Sequence, residues 1–132
     1  MVCDKDQLSL ELNHAAPKGR ISCAAALAVA RHCECPTSEV GQMLDTLKIR
    51  IELCQLGLFG YGPGKQKKIQ IPDVIPSDVA AWIDEVSRKK GHVTCAEIFD
   101  MAKKEHLSKA LIAGACEKME VKIRQCQIGA FA

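Results

Sequence analysis

The hexapeptide Cys54-Gln55-Leu56-Gly57-Leu58-Phe59 returns as Cys126-Gln127-Ile128-Gly129-Ala130-Phe131, 72 residues further along the chain. At that offset residues 18–59 lie on residues 90–131 without a gap, and ten of the 42 positions are identical. The other identities are Lys18/Lys90, Gly19/Gly91, Cys23/Cys95, Ala24/Ala96, Ala30/Ala102 and Ile51/Ile123. Chance gives roughly two or three at average residue usage. Conservative pairs such as Ile21/Val93, Ser22/Thr94, Asp45/Glu117 and Arg50/Lys122 fill much of the remainder. The chain reads as two copies of one unit, residues 1–71 and 72–132.

A length of 132 residues fits one ordinary domain or two small ones. A half-chain is close to the lower limit for an independent core, so the copies are expected to pack together. Aromatic residues are 4% of the chain, so Leu, Ile, Val and Ala must fill the interior. No apolar run of membrane-spanning length and no charged-then-apolar leader is seen, and the expected location is the cytoplasm. The net charge is +2, all of it in the first copy, which permits a nucleic-acid partner without arguing for one. Eight cysteines in a cytoplasmic chain are read as reduced thiols, metal ligands or sensors before disulfides.

Apolar spacing predicts a helix over residues 4–16, with Leu8, Leu12 and Ala15 on one face. A very short strand at 20–22 follows. A second helix runs from 23 to 33 with Ser22 as its cap, and a third runs to Leu47, capped by Thr37 or Ser38. Ile49-Arg50-Ile51-Glu52-Leu53 alternates apolar and charged residues, as a half-buried strand does. A glycine-rich basic loop follows, and Ile69-Gln70-Ile71 is expected to return as the second strand of a hairpin. Residues 72–76 form a linker. The second copy repeats the order, with helices at 77–89, 95–105 and 108–119 and strands at 92–94 and 121–126. It has no returning strand or basic tip.

This order resembles a winged helix-turn-helix. Two stretches carry the resemblance: Val29-Ala30-Arg31-His32-Cys33-Glu34-Cys35-Pro36-Thr37-Ser38-Glu39-Val40 and Met101-Ala102-Lys103-Lys104-Glu105-His106-Leu107-Ser108-Lys109-Ala110-Leu111-Ile112. A small Ala lets two helices approach, Cys35 or Leu107 plugs the turn, and Val40 or Ile112 anchors the following helix. Glu34 and His106 stand where the family usually has Gly. The expected fold class is therefore mostly α with short β-strands (α+β), as two tandem winged helix-turn-helix repeats related by internal duplication. The repeated ending is also similar to that of a group of small duplicated proteins with a CQLGxF motif, a likeness that implies no activity.

The resemblance implies a DNA-binding protein or transcriptional regulator, with each third helix in the major groove and the wing on phosphate. Its contact residues would be Gln42, Arg50, Lys65, Lys67, Lys68, Lys109 and Lys118. Asp45 and Glu39 on the outward face of the first copy's third helix oppose that reading. They favour a protein-interaction or scaffold module that has lost DNA binding, with the strand edge near Phe131 open to a partner or a second copy. A cysteine-based metal or redox sensor is the third reading, with Cys54 and Cys126 as its candidates. No CxxC pair is present, and Cys23, Cys95 and Cys116 fall on expected core faces. No cofactor is implied. The four histidines are scattered, and the glycine-rich loop lacks the Lys-Ser/Thr of a phosphate loop, so the chain is read as a non-enzyme.

Overall fold

The structure is a computed structural model that describes residues 3–61 and 66–131. It is mostly helical with a few short strands. In chain order the elements are α1 (Lys5–Ala15), β1 (Arg20–Ser22), α2 (Cys23–His32), α3 (Thr37–Leu47) and β2 (Arg50–Glu52), then α4 (Ser77–Lys90), β3 (Val93–Thr94), α5 (Cys95–Glu105), α6 (Lys109–Lys118) and β4 (Ile123–Arg124). Among the described residues no helix is long and apolar enough to cross a membrane.

Local chemistry explains most helix starts. Asp4 accepts the backbone N–H groups of Asp6 and Gln7, Ser22 accepts that of Ala25, and Ser108 accepts that of Leu111. Thr94 and Glu97 cap α5 reciprocally, each side chain accepting the other residue's backbone N–H. Helices α3 and α4 begin differently. Their cap positions are Pro36 and Pro76, which contribute no side-chain bond. Neither Thr37 nor Ser38 serves as the cap of α3, because each already lies inside the helix.

The duplication is written into the backbone as well as the sequence. Arg20, Ile21 and Ser22 pair with Arg50, Ile51 and Glu52 in a parallel ladder, and Val93 and Thr94 pair with Ile123 and Arg124 in the same sense and register. Left-handed residues recur at the same offset: Glu34 and His106, Lys48 and Glu120, Leu53 and Gln125. Glu34 and His106 thus adopt the conformation for which glycine is the usual choice, and both tight helix-to-helix turns close without it.

Each copy has its own core. Leu8, Leu12, Ile21, Ala26, Val40 and Leu44 lie in the first, and Val79, Ile83, Val93, Ile98 and Ile112 in the second. The hexapeptides are exchanged between them. Leu56 of the first copy is 1% exposed and sits in the second core, whereas Ile128 of the second copy is 2% exposed and sits in the first. Each anchor contributes about 1.5–3 kcal/mol if its full side-chain burial is counted. Phe59 and Phe131 meet edge to face with ring centroids 6.2 Å apart.

The segment after the first hexapeptide departs from expectation. Tyr61 and Gln66 form one antiparallel bridge, so the chain turns back, but Ile69-Gln70-Ile71 forms no ladder with β2. Those residues instead run across the second copy as a strap. The Lys68 N–H donates to the Gly57 carbonyl at 2.7 Å. The Gln70 carbonyl lies so close to Gly114 on α6 that a Cβ there would overlap it, and the Lys118 ammonium donates to the carbonyls of Pro72 and Asp73. The segment thus passes along α6, held there by Lys118, instead of returning beside β2. Lys65 and the loop tip at 62–64 lie outside the described residues.

The thiols also differ from expectation at one pair. Cys3 and Cys35 are joined in a disulfide that ties the N-terminal segment to the α2–α3 turn.

Candidate functional site at the junction of the two copies

The residues expected to contact DNA have different surroundings. Gln42 and Arg50 remain exposed on the first copy. The Lys67 ammonium stands 3.6 Å from Glu117, and that of Lys68 stands 5.7 Å from the Tyr61 ring centroid. Lys118 holds the strap, as described above. Lys109 turns toward the junction, where its ammonium donates to Gln55 Oε1 at 3.0 Å and sits 4.4 Å from the centre of the Phe99 ring. The outward face of α6 is therefore covered by the strap at Gly114, the position equivalent to Gln42. The flank of α3 at Gly41 is covered by the carbonyl of Ile128.

What the fold does bring together is the chemistry of the two hexapeptides. Gln55 Nε2 donates to Cys23 Sγ at 3.8 Å, and Gln127 Nε2 donates to Cys95 Sγ at 3.7 Å. Cys23 and Cys95 each begin a helix directly after a capping residue, so the two arrangements superpose in sequence. The repeated Cys-Gln dipeptide carried this signal, since a half-buried amide favours a fixed partner. Its partner was not readable, because each thiol lies 32 residues away.

Burial pushes the Cys95 thiol up to about 11, against the lowering effect of backbone and side-chain donors from Gln127. The Cys23 thiol is raised for the same reason, with Gln55 donors opposing and nearby Cys54 and Cys126 adding to the rise. Cys116, wholly enclosed, is pushed to about 12 by burial alone. These thiols stay protonated near neutral pH and are poor nucleophiles. Cys54 is buried and Cys126 half-buried. Among the described residues no three His, Cys, Asp or Glu side chains are grouped to hold a metal ion.

Two hollows flank the junction. One has a volume of about 490 Å³ and lies between α2 and the start of α3 on one side and α5 and the start of α6 on the other; Leu27, Thr37, Gln55, Phe99, Lys109 and Gln127 line it. These six form three equivalent pairs at the 72-residue offset, so the hollow straddles the internal duplication. The other, about 760 Å³, is a groove beside β4 whose apolar surface comes from Leu58, Phe59, Val121, Ile123, Ala130 and Phe131. Lys122 and Arg124 stand on its rim with Glu117, Glu120 and Lys67. Comparison of the chain with protein-family models, curated proteins and solved structures finds no match.

Proposed function

We propose that the chain is a protein-interaction module of tandem helix-turn-helix descent, neither an enzyme nor a tandem DNA reader. The tight turns at Glu34 and His106, each joining two packed helices, support that descent. The returning wing strand, absent among the described residues, has given way to an inter-copy strap. One observation carries the functional reading: the two hexapeptides meet at Phe59 and Phe131 to make an apolar groove beside β4, whose outer edge has no partner strand among the described residues.

An unpaired strand edge next to an apolar groove is suited to an extended peptide, which adds main-chain bonds to the edge and places alternate side chains in the groove. Lys122 and Arg124 on the rim favour a peptide with acidic residues beside its apolar ones. Selection of displayed random peptides on the immobilised protein tests this. Enriched sequences should alternate apolar residues, carry Asp or Glu, and lose binding to the Ile123→Glu variant. Enrichment of no such class, or of peptides indifferent to Ile123→Glu, overturns the reading.

A second reading is DNA contact through the first copy alone, favoured by the exposure of Gln42 and Arg50. Duplex titration across a salt series separates the two. A steep loss of affinity with salt, reduced when Arg50, Lys67 and Lys68 are neutralised together, is the DNA result. A flat, weak response is the expected one.

A further inference from the structure

We propose that the hollow between Leu27 and Phe99 is a binding site for a small organic carboxylate with a flat or branched apolar body. Lys109 is the reason for the charge. Lys109 is half-buried at the hollow, and its ammonium donates to the Gln55 amide oxygen, stands over the Phe99 ring, and makes no ion pair among the described residues. A partly desolvated cation without a carboxylate attracts one more strongly than a surface lysine does. Arg31 at the rim adds a second cation, likewise unpaired among the described residues.

The size and walls give the rest of the ligand. About 490 Å³ is a small-molecule volume, and Leu27 and Phe99 provide apolar walls from equivalent positions of the two copies. Gln127 offers a polar group opposite, for its amide nitrogen is engaged by Cys95 while its oxygen has no partner among the described residues. Glu34 at the rim disfavours a multiply charged anion such as phosphate. At the hollow the equivalent positions differ, Leu27 against Phe99 and Thr37 against Lys109, which gives the crevice a charged end and a flat apolar wall.

The site is separate from the peptide groove, which Lys109 does not line. The test uses the full chain, with side-chain amide resonances of Gln55 and Gln127 as reporters and benzoate, benzamide and inorganic phosphate as probes. Benzoate should shift both resonances saturably. Benzamide, its uncharged counterpart, and phosphate should each bind at least about tenfold more weakly. Lys109→Met, which keeps the aliphatic stem, should cost benzoate at least about tenfold, while Lys109→Arg retains most of the affinity. Phe99→Leu, copying the other repeat, should weaken benzoate without altering the response to acetate. The proposal is overturned if benzoate gives no saturable shift, if benzamide matches it, or if folded Lys109→Met binds as the native chain does. Loss of peptide binding with benzoate binding intact refutes only the groove.

Discussion

Gly41→Ala and Gly114→Ala should move stability in opposite directions, although both replace a glycine inside a helix. In a bare helix either change gains about 1 kcal/mol. The surroundings decide the net sign. At Gly41 the new Cβ overlaps the backbone carbonyl of Ile128, whose side chain is 2% exposed in the first core. The tail must move, and losing that burial costs about 1.5–3 kcal/mol. The net effect is a loss of about 0.5–2 kcal/mol, or a melting point lower by about 2–7 °C for a chain of this size. At Gly114 the obstacle is the Gln70 carbonyl of the strap, with Pro72 Cδ at 3.1 Å. Gln70 and Ile71 are exposed, so lifting the strap sacrifices little, and Gly114→Ala should be neutral or gain up to about 1 kcal/mol. Urea melts followed by far-ultraviolet circular dichroism measure both. Hydrogen exchange supplies the local reading: residues 126–131 should lose protection in Gly41→Ala and keep it in Gly114→Ala. On an Ile128→Ala background, where the tail is already loosened, Gly41→Ala should become stabilising. The reasoning fails if Gly41→Ala matches or exceeds the native chain while the tail stays protected, or if Gly114→Ala is equally damaging.

Two further outcomes follow from the caps and the disulfide. Burial works to raise the Glu97 carboxyl, but donors from Lys90 and Thr94 outweigh it and hold the group below the ordinary carboxylate range. A depressed folded-state value means stability that is present above the unfolded value and lost as pH falls through the folded one. Glu97→Gln should therefore cost about 0.5–1 kcal/mol at neutral pH, with the gap to the native chain closing below about pH 4 in a pH series of urea melts. The Cys3–Cys35 bond spans a sequence separation of 32, so Cys3→Ser should cost roughly 2–4 kcal/mol. Reductant should bring the native chain down to the same urea midpoint and leave the variant unmoved.

The helices and their order were legible because apolar spacing is local. Leu8 and Leu12, Val40 and Leu44, Val79 and Ile83 are all buried where their periodicity put them. The short strands at 20–22 and 50–52 were equally readable from neighbours. The exchange of hexapeptides was not. Leu56 and Ile128 announce that they will be buried, but alternation carries no information about which of two similar cores receives them. Ile69-Gln70-Ile71 failed for a related reason: its pattern fits a strand, and the competitor that won is a helix surface more than 40 residues away. A faint signal did exist in Gly41 and in Ala113-Gly114, since small residues at one level of two equivalent helices mark the close passage of another backbone. Among the residues singled out for DNA contact, Lys109 carried its charge in the sequence but not its direction. Its position at the start of α6 aims it at Phe99 and Gln55, a direction set by the packing of the two copies.

The crossed hexapeptides have an ancestral consequence. Two identical units that each lend a C-terminal arm to the other form a closed two-fold pair, the geometry of an arm-exchanged homodimer. Joining them end to end replaces an encounter between molecules with one held at millimolar effective concentration by the linker. Dilution can no longer separate the halves, and a substitution in one is no longer copied into the other. Such a chain is released from self-complementarity, and Phe99 with Lys109 opposite Leu27 with Thr37 is an unlike pairing that a two-fold dimer of identical chains cannot hold. Halves expressed separately and mixed should therefore recover the fold only at high concentration.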